Sequence, residues 1–150
     1  MIELKNVSKS YDGKTNAVDN VTITIPDGKI FGFLGPNGAG KTTTLKMITG
    51  ILSADSGTIN IGGYDIKDEP IKAKMSFSYV PDEPDIFPRL KGIEYLNFIG
   101  DIYKVPVSQR IEKIKYLSEE FGLDEVLRDR IQSYSHGMKQ KLAVIAALMH

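Results

Sequence analysis

The stretch Gly35–Thr42 reads GPNGAGKT, a glycine-rich run closed by a lysine and a threonine in the pattern G-x-x-x-x-G-K-[ST]. Residues of these types at this spacing suit one task, which is to wrap a chain of phosphates. A loop that encloses an anion must aim several backbone N–H groups inward, and side chains would obstruct them. Gly35, Gly38 and Gly40 leave that room and permit dihedral angles that other residues avoid. Pro36, Asn37 and Ala39 complete the wrap. Lys41 offers a cation to the β- and γ-phosphates, the Thr42 hydroxyl a ligand to Mg²⁺, and the Thr43 hydroxyl a donor to phosphate. The bland alternative is a glycine-rich turn with an incidental lysine. What separates the two is context: a phosphate loop follows a strand and opens a helix.

Both neighbours are legible. KIFGFLG, residues 29–35, is a short apolar run ending in glycine, as a buried strand does. KTTTLKMITGIL carries Leu45, Ile48 and Leu52 at helical spacing. That helix would aim the partial positive charge of its N-terminus at the same anion. Upstream, IELKNV alternates apolar and polar residues and VTITI is β-branched and alternating, so both read as strands. SGTINIGGYDI reads as turn, strand and turn, and FSYVPDEP as a strand running into a proline-bracketed loop. From Leu90 the pattern becomes helical. Ile93, Leu96, Ile99 and Tyr103 share one face. A second helix runs from Ser108, a candidate N-cap, through Ile111, Ile114, Leu117 and Phe121 to Gly122 as its stop. DEVLRDRI is a short helical piece, and a last helix begins near Gly137.

Composition narrows the function classes. The chain has 150 residues with 19 Lys plus Arg against 19 Asp plus Glu, so it carries no net charge. A dedicated nucleic-acid binder usually shows a basic surplus, and no nucleic-acid partner is expected. There is no cysteine, which excludes disulfides, thiolate metal sites and cysteine nucleophiles. The two histidines, His136 and His150, are too few for a histidine metal cage. The longest apolar run, LAVIAALM, falls far short of the ~20 residues a membrane span needs. The N-terminus has no apolar signal core, and a cytoplasmic location is the expectation.

Four features in collinear order resemble the ATP-binding subunit of ABC transporters, over residues 1–150. The first is the phosphate loop. The second is VSKSY, which puts Tyr11 where that family places an aromatic that stacks on adenine. The third is SYVPDEPDIFPRLKGIEYL, similar to the family's Q-loop, with Asp82 in place of the glutamine that serves Mg²⁺ and the attacking water. An aspartate can ligate Mg²⁺, directly or through water, while adding negative charge near a triphosphate. The fourth is YSHGM, Tyr134–Met138, which resembles the signature L-S-G-G-Q. Ser135 and Gly137 match; His136 and Met138 depart from the pattern. In the family the serine hydroxyl and glycine N–H at a helix N-terminus close on the γ-phosphate held by a second copy. An ordinary serine-capped helix start is the plainer reading of the same residues.

The resemblance implies an α/β fold, with a P-loop NTPase-type core, an antiparallel β segment at the N-terminus and a helical subdomain, truncated before the Walker B strand. Its divisions would fall at about 1–89 for the core, 90–135 for the helical subdomain and 136–150 for the start of the signature helix. ATP and Mg²⁺ are the implied cofactors, with Lys41 and Asp82 as catalytic residues and Thr42 and Asp82 as metal ligands. The implied partners are a transmembrane permease, gripped through Asp82–Leu90 and the helices after it, and a second copy of the subunit, at the inner face of the cell membrane. The Walker B aspartate, catalytic glutamate and switch histidine that the family places next are not among these residues. The chain therefore reads as a fragment that binds nucleotide weakly at most, while its parent hydrolyses ATP to drive transport, with export favoured by the motif pattern. Two alternatives stay open: a non-transport ABC ATPase acting on ribosomes or DNA, and an inert phosphate-binding fragment.

Overall fold

The computed structural model describes residues 1–83 and 86–150. It divides into two compact units, residues 1–77 and 78–150. The first is mixed α/β and the second is helical.

In the first unit, β1 (Ile2–Ser10), β2 (Asn16–Ile25), β3 (Ser56–Ile61) and β4 (Tyr64–Asp65) form one antiparallel sheet in the order β2-β1-β3-β4. Strict alternation in β1 would put residue 6 on the core side after Ile2 and Leu4. Instead Leu4 and Val7 are both buried. The register slips between them, and Asn6 sits at φ 52. Asn20 on β2 sits at φ 47 and accepts from the Asn6 side chain at 2.9 Å. Asparagine tolerates this left-handed geometry better than other non-glycine residues, and the bulge turns Val7 inward. Gly62 and Gly63 make the tight turn between β3 and β4. Helix α1 (Lys41–Ile48) lays Met47 and Thr44 against the sheet, closing a core of Leu4, Val7, Val18, Met47, Ile59 and Ile61. Each such aliphatic side chain contributes about 1.5–3 kcal/mol on burial. Leu45, expected on the inner stripe, is 45% exposed, and Met47 takes its place. A short helix, α2 (Pro70–Lys74), starts on Pro70 and was not legible beforehand.

Two expected strands do not form. Residues 29–35 form no strand, with Ile30 and Leu34 almost fully exposed. Residues 77–80 likewise join no sheet. The reason is that a strand needs hydrogen-bonding neighbours as well as suitable side chains. Among the described residues, none pairs with either segment.

In the second unit, α3 (Gly92–Ile102), α4 (Val107–Phe121) and α5 (His136–Leu148) pack around Leu96, Ile114, Leu123, Leu127, Ile131, Leu142 and Ile145. The Glu94 carboxylate accepts from the Lys91 N–H at 2.9 Å and so caps the start of α3. Helix α4 begins one residue before the expected cap: Pro106 is the N-cap, and Ser108 lies inside the first turn. Proline's fixed φ suits the entry to a helix. Ile111, expected in the core stripe, is 63% exposed, while Ile114 is buried. Gly122 ends the helix in the left-handed conformation, as expected. The piece read as helical after Gly122 forms two 3₁₀ turns, Asp124–Val126 and Ile131–Ser133. Residues 127–132 are hydrogen-bonded to residues 88–93, which lead into α3.

Candidate phosphate-binding site

The glycine-rich loop enters α1 without a break. Gly40 is the N-cap at φ 81, and its carbonyl accepts from both the Thr44 N–H at 2.8 Å and the Thr44 hydroxyl at 2.9 Å. A tight turn between Ala39 N–H and the Pro36 carbonyl, at 3.2 Å, sets the crest of the loop. Lys41 donates from Nζ to the carbonyls of Gly35 at 2.6 Å and Pro36 at 2.7 Å, which ties its ammonium to the head of the loop. No acidic residue occupies the first turn of α1, so nothing offsets the positive end of its dipole.

These groups border a pocket of about 260 Å³ lined by Ala17, Asn37, Gly38, Gly40, Lys41, Thr42 and Thr43. The lining holds one ammonium, two hydroxyls, an amide side chain and the backbone of two glycines, with no carboxylate. That donor set fits a polyphosphate anion. Of the same lining, the Thr42 hydroxyl is the group suited to Mg²⁺, which when bound neutralises charge on phosphate oxygens. Gly40 is confined from the other side: a Cβ built on it would lie 2.3 Å from the Ala17 carbonyl oxygen.

Tyr11 reaches this loop from the turn between β1 and β2. Its hydroxyl lies 3.2 Å from the Thr43 hydroxyl, and the residue is 66% exposed. Asp12 organises that turn, a role sequence reading missed. Its carboxylate accepts from the backbone N–H groups of Lys14 and Thr15, each at 2.8 Å. The signal was present as aspartate followed by glycine in a turn. Hydrogen bonding from Thr15, then Lys14, holds the Asp12 carboxyl below its ordinary value. A depressed carboxyl stabilises the fold above its unfolded value of about 3.9, and that contribution is lost as pH falls through the lower folded value. We therefore expect the Lys14 and Thr15 amide resonances to titrate together with a midpoint below that of a free aspartate. Midpoints at the free value would contradict the turn described.

The remaining expected site residues lie in the second unit. Asp82 is exposed, and its backbone carbonyl accepts from the Gln140 side chain of α5 at 3.3 Å. Pro84 and Asp85, inside the expected coupling stretch, fall outside the described residues. Ser135 is the N-cap of α5, and its Oγ accepts from the Met138 N–H at 3.2 Å. The plainer reading of YSHG is thus realised, and it leaves the hydroxyl proton free to donate outward. Gly137 lies exposed in the first turn, next to His136, also exposed. Tyr134 is instead structural. It is buried and donates from its hydroxyl to the Val126 carbonyl at 2.6 Å. Burial, then the charge of Asp129, pushes its hydroxyl above the ordinary tyrosine value. Tyr134→Phe should cost about 1 kcal/mol in urea unfolding by removing one of the two bonds to that carbonyl, which also accepts from the Asp129 N–H at 2.9 Å; an unchanged midpoint would mean water replaces the bond.

A glycine-rich loop feeding a helix N-terminus on an α/β scaffold defines a P-loop nucleotide-binding domain. The comparisons make the class specific. A family profile described as ABC transporter matches residues 18–150, and the chain belongs to that family. It is 40% identical over its full length to the linearmycin resistance ATP-binding protein LnrL of Bacillus subtilis, of which it covers 48%. It is 34% identical to the daunorubicin/doxorubicin resistance ATP-binding protein DrrA of Streptomyces peucetius, over 99% of this chain and 44% of that one. The chain thus spans about half the length of these relatives. Among solved structures, an ATP-binding subunit of an ABC transporter superposes with a TM-score of 0.94 at 31% identity, over 99% of this chain and 62% of that one. A dimeric ATP-binding cassette bound to ADP and Pi matches at 0.84 and 24% identity, over 99% and 69%, and shows the same fold. Among the described residues, no helix is long and apolar enough to cross a membrane.

Proposed function

We propose that this chain is the phosphate-loop part of an ABC transporter's ATP-binding subunit, and that the whole protein couples Mg-ATP binding and hydrolysis to export. The observation that carries the reading is the loop itself, with Lys41, Thr42 and Thr43 lining one carboxylate-free pocket. Residues Gly35–Thr43 hold the phosphates, Tyr11 meets the adenine, and Thr42 and Asp82 serve Mg²⁺. Ser135 and Gly137, exposed at the start of α5, form the anion site that closes on a second copy in a head-to-tail dimer. The subunit works at the inner face of the cell membrane on a permease, gripped near Asp82–Leu90 and through the helices that follow. Core, helical subdomain and signature helix divide at about residues 89 and 135. Export is supported by the relatives named for linearmycin and daunorubicin/doxorubicin resistance. Taken alone, these 150 residues bind nucleotide weakly and do not turn it over, because the family's Walker B aspartate, catalytic glutamate and switch histidine are not among them.

Purification from detergent-solubilised membranes tests the transport reading. A co-purifying membrane protein is expected; a soluble complex rich in ribosomal RNA would favour a ribosome-acting ABC ATPase. Steady-state hydrolysis by residues 1–150 that disappears in Lys41→Ala would overturn the claim of inactivity.

A further inference from the structure

We infer that Tyr11 is a positioning residue for the phosphate end of the site, acting through its hydroxyl on Thr43, in addition to any contact its ring makes with a base. The inference rests on the nucleotide-binding reading above. The two hydroxyls are 3.2 Å apart, and Thr43 lines the pocket of the glycine-rich loop. A hydroxyl has one proton and two lone pairs. If both side chains were left to rotate, the Thr43 proton would have no fixed direction. The phenol is the better donor of the two, so it donates to Thr43 Oγ1. That bond occupies one lone pair and directs the Thr43 proton away from Tyr11, towards the pocket. Donation into a hydroxyl also strengthens that hydroxyl's own donation to an anion.

The backbone beneath Tyr11 is built for such a task. Asp12 pins the residues after it through Lys14 and Thr15, and the Ser10 hydroxyl donates to the Thr15 carbonyl at 2.8 Å. On the other side the Ser10 N–H donates to Asp55 at 2.8 Å, and Lys9 pairs with the same carboxylate at 2.5 Å. Tyr11 is thus exposed to solvent while its backbone is fixed on both sides, which suits a side chain that must hold a partner in one orientation. Among the described residues, this is the hydrogen bond that joins the β1–β2 turn to α1.

Calorimetric titration of the purified protein with Mg-tripolyphosphate and with Mg-ATP separates the hydroxyl from the ring, because tripolyphosphate has no base to stack. Tyr11→Phe keeps the ring and removes the bond. It is expected to weaken both ligands by a similar factor, about three- to tenfold, at an unchanged melting temperature. The loss should persist in a Thr43→Ser background, which retains a hydroxyl, and vanish in Thr43→Val, which has none. Tripolyphosphate binding by Tyr11→Phe at the wild-type affinity, or losses that multiply in the Tyr11→Phe/Thr43→Val double variant, would overturn the inference and leave the nucleotide reading intact. Wild-type protein that binds neither ligand would overturn the nucleotide reading itself, and the inference with it.

Discussion

Gly40→Ala is expected to destabilise the first unit by about 2–4 kcal/mol and to cost about a hundredfold in Mg-ATP affinity. Two physical terms combine at this position. Gly40 sits at φ 81, where a side chain is strained by about 1–3 kcal/mol. The added methyl would also lie 2.3 Å from the Ala17 carbonyl oxygen and 3.0 Å from a Val18 methyl. Ala17 is backbone of β2 and cannot swing aside, so the loop must move. A displacement of that kind takes the N–H groups and Lys41 off the anion together. Gly38→Ala is the informative control. Gly38 has nearly the same backbone angle, φ 82, but nothing within 4 Å of its Cβ direction. In stability it should lose only the strain, about 1–2 kcal/mol. Thermal unfolding and nucleotide titration of the two variants side by side check this. Equal behaviour would mean that the approach to Ala17 has no part in shaping the loop.

Arg110→Ala should be the most damaging single change in the helical unit, at about 3–5 kcal/mol in urea unfolding. Arg110 is only 6% exposed. Its guanidinium donates to the carbonyls of Asn97 at 3.2 Å and Val105 at 3.0 Å and pairs with Asp101 at 2.7 Å. Its stem passes so close to Gly100 that a Cβ there would lie 2.4 Å from Nε. The alanine variant strands the Val105 carbonyl, removes a second bond to the Asn97 carbonyl and opens a cavity between α3 and α4. Arg110→Met keeps the stem and should cost about half as much. Asp101 is 72% exposed, so Asp101→Asn should cost under about 1 kcal/mol. A large loss in Asp101→Asn with a small one in Arg110→Met would assign the stability to the ion pair, against this account.

What could be read in advance followed the locality of the physics. The phosphate loop was legible because its chemistry is carried by adjacent residues, and Tyr11 because it stands in a recognisable order with that loop. The bulge in β1 was legible in principle, since the apolar positions shift from Ile2 and Leu4 to Val7 across an asparagine. KIFGFLG misled because an apolar run reports only that a segment can be buried, while pairing depends on residues elsewhere in the chain. Arg110 was read past because a cation on a helix normally faces water. Only the fold shows that α3 presents the Asn97 carbonyl and Gly100 to it, and the turn after α3 the Val105 carbonyl. Asp12 was hidden for a similar reason: a turn aspartate is common, and its importance comes from the tyrosine beside it.

The central claim is that Lys41 and its loop hold the phosphates of a nucleotide. Titrating the purified protein with a fluorescent ATP analogue in Mg²⁺ buffer, wild type beside Lys41→Ala, tests it most directly. Saturable binding by the wild type is expected, with a loss of about tenfold to a hundredfold in the variant, the worth of a charge-assisted contact to phosphate. Equal affinity in two proteins of equal folded content would contradict it, because the nucleotide would then be held somewhere other than the loop between β2 and α1.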